Sequence, residues 1–200
     1  MIAIIDYEMG NLGSVAKALT YLGQRVEVTS DPDQIARADR VILPGVGAMS
    51  YALEQLESKG LDQAIRAYIA TDRPFLGICL GMQLMFERSE EGDARGLGIL
   101  PGIVRRFPPQ PGLKIPHMGW NQLTASRLAL LPEGQHYYFV HSYFCDPADD
   151  ALVAAWSHHG QPFAAAVQQN NILLTQFHPE KSGDSGLKLL SDWIFGGEDA

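Results

Sequence analysis

The sequence predicts an α/β fold in three layers: a mostly parallel central sheet, helices on both of its faces, and antiparallel strands added in the second half. Three observations predict it. Apolar, β-branched runs alternate with segments of helical spacing through the first part of the chain, which is the rhythm of parallel strands joined by crossover helices. Beyond Gly96 the pattern changes to short strand-like runs separated by proline and glycine. No repeat, linker or low-complexity tract interrupts the 200 residues, so residues 1–200 read as one domain with one sizeable core.

Each element has its own signal. Met1–Asp6 is apolar and β-branched enough for a buried strand, and Leu12, Val15, Ala16, Leu19 and Leu22 then recur at helical spacing until Gly23 stops them. Arg25–Thr29 and Arg40–Leu43 read as further strands, each followed by a polar loop and a helix. A strand-like run from Pro74 ends between two glycines at Cys79, where a helical pattern begins. Val104–Phe107, His136–Phe144, Leu152–Trp156 and Phe163–Gln168 are the expected strands of the second half. Leu187, Leu190, Trp193 and Ile194 form a last amphipathic helix closed by Gly196-Gly197.

Composition excludes several function classes. With 46% apolar and 19% charged residues the chain is an ordinary globular sequence, and no apolar run approaches the roughly 20 residues of a membrane span. Met1–Ile5 is too short for a signal peptide. A net charge of −8 and a pI near 5.1, without a basic stripe, argue against a nucleic-acid partner. The two cysteines, Cys79 and Cys145, have neither metal nor redox spacing, so a reducing cytoplasm is the expected compartment. Cys145 is expected to alternate away from Tyr143 as inert packing. His117, His136, His141, His158 and His159 offer no metal-ligand spacing; neither metal nor cofactor is expected. The acidic run Glu87–Asp93 reads as a solvated helix end, with Glu91 set apart. Gly10–Ser14 follows the first strand but lacks dinucleotide and Walker spacing.

Two segments carry chemistry. Gly77-Ile78-Cys79-Leu80-Gly81 places a thiol on a sharp strand-to-helix turn, which lifts the side chain out of the sheet, and the first helical amides, from Leu80 onward, favour negative charge there. A lone cysteine is more often buried packing, so a base is required. Gln176-Phe177-His178-Pro179-Glu180-Lys181 supplies one: proline holds His178 extended, and in an extended chain His178 and Glu180 face the same way. The carboxylate can hold one ring nitrogen while the other takes a thiol proton.

The patterns Gly77-x-Cys79-x-Gly81-x-Gln83 and His178-Pro179-Glu180 resemble the triad glutamine amidotransferases. Pro44-Gly45-Val46-Gly47-Ala48, Ile115–Asn121, Phe139–Tyr143 and Gln176–Ser182 further resemble, within that group, the glutaminase subunits of imidazole glycerol phosphate synthase, and together these segments span nearly the whole chain. Met49 and Trp193 stand where that family often has phenylalanine, and read as packing changes.

The resemblance implies hydrolysis of glutamine by a Cys79–His178–Glu180 triad. Amides near Val46 and Leu80 would form the oxyanion hole, with Gly47, Gln83, Glu91, Ser142 and Tyr143 around the glutamine. It also implies a (β/α)₈-barrel cyclase partner, which would use the ammonia to make imidazole glycerol phosphate and aminoimidazole carboxamide ribonucleotide in histidine biosynthesis. No acceptor site is visible in this chain, consistent with a separate partner. Asn11, Met118, Trp120, Asn121, Tyr138 and Lys181 are the partner-facing candidates, each readable also as core or ordinary surface. Other readings are a glutaminase subunit of the pyridoxal phosphate or anthranilate synthase type, a thiol hydrolase or peptidase of related fold, and a silent binding subunit.

Overall fold

The computed structural model describes residues 1–196. The first half runs β1 (Ile2–Ile5), α1 (Leu12–Tyr21), β2 (Val26–Thr29), α2 (Pro32–Arg37), β3 (Arg40–Gly45), α3 (Met49–Ser58), α4 (Leu61–Ile69), β4 (Phe75–Cys79) and the single turn α5 (Leu80–Gln83). The second half runs β5 (Arg88–Ser89), β6 (Gly102–Arg106), β7 (His117–Gln122), β8 (Ala125–Ser126), β9 (His136–His141), β10 (Tyr143–Pro147), β11 (Val153–His158), β12 (Pro162–Gln169), β13 (Ile172–Thr175) and α6 (Gly183–Phe195).

The main sheet has the order β2-β1-β3-β4-β13-β12-β11-β8. Its first five strands are parallel and its last three antiparallel. Period-2 alternation divides the core. Ala3 and Ile5 of β1 face the layer of α2, α3 and α4, whereas Ile2 and Ile4 face the layer holding α1 and α6. Both faces of the inner parallel strands are thus covered, which is why β1 and β4 read as unbroken apolar runs. Each fully buried Leu or Ile contributes roughly 1.5–3 kcal/mol relative to exposure. Among the described residues no helix is long and apolar enough to cross a membrane.

Several elements differ from the expectation. His136–Phe144 is not one strand, because the chain leaves one sheet for another at Ser142: β9 pairs with β7, β10 pairs with β6, and the Ser142 carbonyl accepts from Phe107 N at 3.1 Å. β7 and β13 complete the topology without having been expected as strands. Glu87–Asp93 is not a helix end but β5 and a loop, in which Glu87 accepts from Gly102 N and Glu90 from Arg106 N. Cys145 does not alternate away from Tyr143; two residues apart in a strand, both side chains pack into the core on the α2–α4 face. Helix α6 ends at Gly196 as expected, while Gly197 lies outside the described residues.

Candidate active site

Cys79 is the last residue of β4 and takes φ +54° and ψ −106°, a conformation that costs a non-glycine residue of order 1–3 kcal/mol. The neighbouring glycines serve close approach rather than unusual dihedrals. A Cβ on Gly81 would overlap the Leu43 carbonyl oxygen, and one on Gly77 would press on Leu174 and the Gly81 carbonyl. Two adjacent strands therefore clamp the turn. The N–H of Leu80 opens α5 and, like any first-turn amide, has no acceptor within the helix.

Strand β13 brings His178 to this turn. It lies beside β4 in parallel register, Thr175 opposite Ile78, so the chain leaving β13 emerges next to Cys79. His178 is extended as expected, with φ −100° and ψ 98°, but Glu180 reaches it through a 3₁₀ turn at Pro179–Lys181 rather than along an extended chain. Nδ1 of His178 lies 2.8 Å from Oε1 of Glu180, and the two side chains are 2% and 1% exposed. Backbone bonds fix the segment: His178 N donates to Tyr138 O, and Ser182 Oγ donates to His178 O. His178 Nε2 has no hydrogen bond of regular geometry, yet the Cys79 sulfur is close enough to act on the ring. Burial lowers the imidazole pKa, but Cys79 and then Glu180 outweigh it and raise the value to about 10. A proton on this ring also answers the burial of Glu180, whose second oxygen has no partner.

Beside the sulfur is a cleft of ≈ 360 Å³, within the roughly 300–1,000 Å³ of small-molecule sites. All seven residues expected at the oxyanion hole and the substrate line it with Cys79: Val46, Leu80, Gly47, Gln83, Glu91, Ser142 and Tyr143. His178 and Glu180 are not part of this wall. Glu91 is anchored, its Oε2 accepting from Met49 N at 2.9 Å at the start of α3.

The whole chain compares closely with known proteins. Residues 3–195 match the family glutamine amidotransferase class-I. Imidazole glycerol phosphate synthase subunit HisH of Microcystis aeruginosa is 50% identical, covering 97% of this chain and 94% of its own. The subunit HisH of Aromatoleum aromaticum is also 50% identical, over 96% of this chain and 97% of its own. The chain belongs to the class-I glutamine amidotransferases, in the HisH family. A solved glutamine amidotransferase superposes with a TM-score of 0.74 at 18% identity, covering 98% and 100% of the two chains. PurLQS from Thermotoga maritima superposes with 0.73 at 18%, covering 96% of each. These two show the shared amidotransferase fold.

Two residues of the site, Gln176 and Tyr7, were not singled out from the sequence. Gln176, fully buried after β13, donates from Nε2 to Cys79 Sγ at 3.6 Å and accepts from Gln83 Nε2 at 3.1 Å. Tyr7 donates to Pro44 O at 2.9 Å beneath the Pro44–Ala48 loop; burial, then Cys79, push its phenol up. His141 lines the cleft, and its Nδ1 lies 2.7 Å from Tyr143 O. Its Nε2 is 2.9 Å from His117 Nδ1, and His117 stacks on His159 with centroids 4.2 Å apart. The signal for Gln176 was its polarity at the end of a buried strand; the histidines carry no periodic signal.

Most partner-facing candidates gather near the His178–Glu180 segment. Met118 and Trp120 are 63% and 57% exposed on β7, Trp120 packs edge-on to Tyr138 of β9, and Lys181 follows Glu180 in an exposed position. Asn11 stands at the start of α1 without a side-chain capping bond, and α1 packs against the Pro179–Lys181 turn. Asn121 turns inward instead, donating to His158 O and meeting His117 Nε2.

Proposed function

We propose that the chain hydrolyses glutamine to glutamate and ammonia at Cys79 and passes the ammonia to a (β/α)₈-barrel cyclase partner, which makes imidazole glycerol phosphate and aminoimidazole carboxamide ribonucleotide. The observation that carries it is the buried His178–Glu180 pair held against a thiol on a strained turn, at the mouth of a cleft. Such a pair can take the thiol proton onto His178 and leave the negative charge on sulfur for attack. The sulfur attacks the carboxamide carbon, and the carbonyl electrons move to oxygen, where the N–H groups of Leu80 and Val46 receive them. As the carbon–nitrogen bond breaks, His178 gives its proton to the nitrogen and ammonia leaves. The neutral ring then takes a proton from water, hydroxide attacks the thioester, and glutamate departs as the carbon–sulfur bond breaks. Glu180 orients the ring and stabilises its charge throughout.

Ammonia released to water becomes ammonium and stops being a nucleophile, so a shielded passage to the partner is required. The exposed Met118 and Trp120, grouped with Tyr138, Lys181 and Asn11 around the triad segment, support docking on this face. The roughly 50% identity to HisH subunits supports this partner over those of the pyridoxal phosphate or anthranilate synthase types. The test is Cys79→Ala assayed with the cyclase. Glutamine-dependent synthesis should vanish while synthesis from added ammonia persists. Retained glutamine use would overturn the assignment of the nucleophile.

A further inference from the structure

The bonds around Gln83 and Gln176 fix the orientation of both amides. The Tyr143 carbonyl can only accept, so the Gln83 atom 3.1 Å from it is the NH2 group. That nitrogen also lies 3.1 Å from the Gln176 side chain, which must present its oxygen there. Gln176 is left with its own NH2 facing the Cys79 sulfur. Turning either amide over would set like against like where Gln83 is 6% exposed and Gln176 0%. The Tyr143 carbonyl is itself held by a second donor, His141 Nδ1. That assignment makes His141 Nε2 the acceptor from His117 Nδ1, and His117 Nε2 the acceptor from Asn121 Nδ2.

We propose that Gln176 is a catalytic residue of the glutaminase reaction: its side-chain N–H supports negative charge on the Cys79 sulfur and fixes where that sulfur stands, with Gln83 as the residue that positions it. This rests on Cys79 being the nucleophile. The neutral thiol has an acceptor in Val140 O, 4.0 Å away, and loses that contact when its proton moves to His178. The Gln176 donor is the contact that gains strength at that moment, since hydrogen bonds to charged groups are roughly twice as strong as neutral ones. Both Gln83 N–H groups are engaged by Tyr143 O and Gln176, so this side chain offers a bound glutamine only its oxygen.

The test uses the full chain, with Gln176→Leu to delete the donor and Gln176→Glu to keep the shape and place an acceptor against sulfur. Iodoacetamide labelling of Cys79, located by mass spectrometry, is followed across pH, and kcat and KM for glutamine are measured with the cyclase bound. Both variants should alkylate about 10- to 100-fold more slowly at neutral pH, with the profile moved to higher pH, and kcat should fall by a similar factor while KM changes little. A parent-like labelling profile in either folded variant would overturn the proposal. If neither variant folds, the ¹⁵N-labelled parent decides: the Gln176 side-chain amide signals must shift when Cys79 is alkylated, and unmoved signals refute the contact. Glutaminase activity surviving in Cys79→Ala would instead refute the nucleophile, which separates the two failures.

Discussion

At the scale of single residues, the site is organised by conformation as much as by chemistry. Cys79 holds φ +54° because β4 must end and α5 begin without an intervening loop. A side chain in that region is strained whatever its identity, so Cys79→Gly is expected to melt higher than Cys79→Ala, by about 1 kcal/mol of stability. Calorimetry on the two inactive variants checks this; an equal or lower melting temperature for the glycine variant would mean that the turn is not strained. Cys79, His178 and Glu180, the proposed triad, stand out in the sequence because each sits in a motif whose spacing has a mechanical meaning. Gln176 was not. One buried glutamine looks like any other polar residue at a strand end until its partners are known.

At the scale of elements, the turn depends on how closely α5 approaches β3. Gly81 has no room for a methyl group against the Leu43 carbonyl, and that oxygen belongs to backbone that cannot rotate away. Gly81→Ala is therefore expected to displace α5, cost about 1–3 kcal/mol, and lower glutaminase activity far more than it lowers ammonia-dependent synthesis. Thermal melting and the paired assays test it; a variant with parental stability and activity would show that α5 moves freely. Strands read well where one periodicity persisted, as in β1, β11 and β12. They read poorly where the chain changed sheets: His136–Phe144 is one largely aromatic run, yet at Ser142 the partner changes from β7 to β6 and the facing parity with it, Tyr137 and Phe139 packing on the α1–α6 side and Tyr143 on the other.

At the scale of the whole molecule, packing the β7–β9 pair against Phe107 and Phe163 buries ionisable rings next to the cleft. Burial, and then the neighbouring His159, lower the pKa of His117 to about 4. Burial, opposed by the bond to Tyr143 O, lowers that of His141 to about 3. Both rings are neutral in the fold and charged in the unfolded chain below its value of 6.5, so their contribution is complete above pH 6.5 and is lost as pH falls toward 4 and then 3. The melting temperature should decline across that window, and ¹⁵N spectra at pH 5 should show His117 and His141 neutral with the proton on Nδ1. Protonated rings in the folded protein at pH 5 would refute this. The sequence by itself determined the layered α/β class, the family, and the strand-to-helix turn that carries the proposed nucleophile, because periodicity, glycine spacing and the two motifs are local properties of the chain. Only the tertiary structure decided that the imidazole stands against the sulfur, that two glutamines join the Tyr143 carbonyl to it, and that buried His141 meets buried His117 edge-on while His159 stacks on His117. Those contacts join residues far apart in sequence through strand order and register, and no local pattern encodes which strands become neighbours.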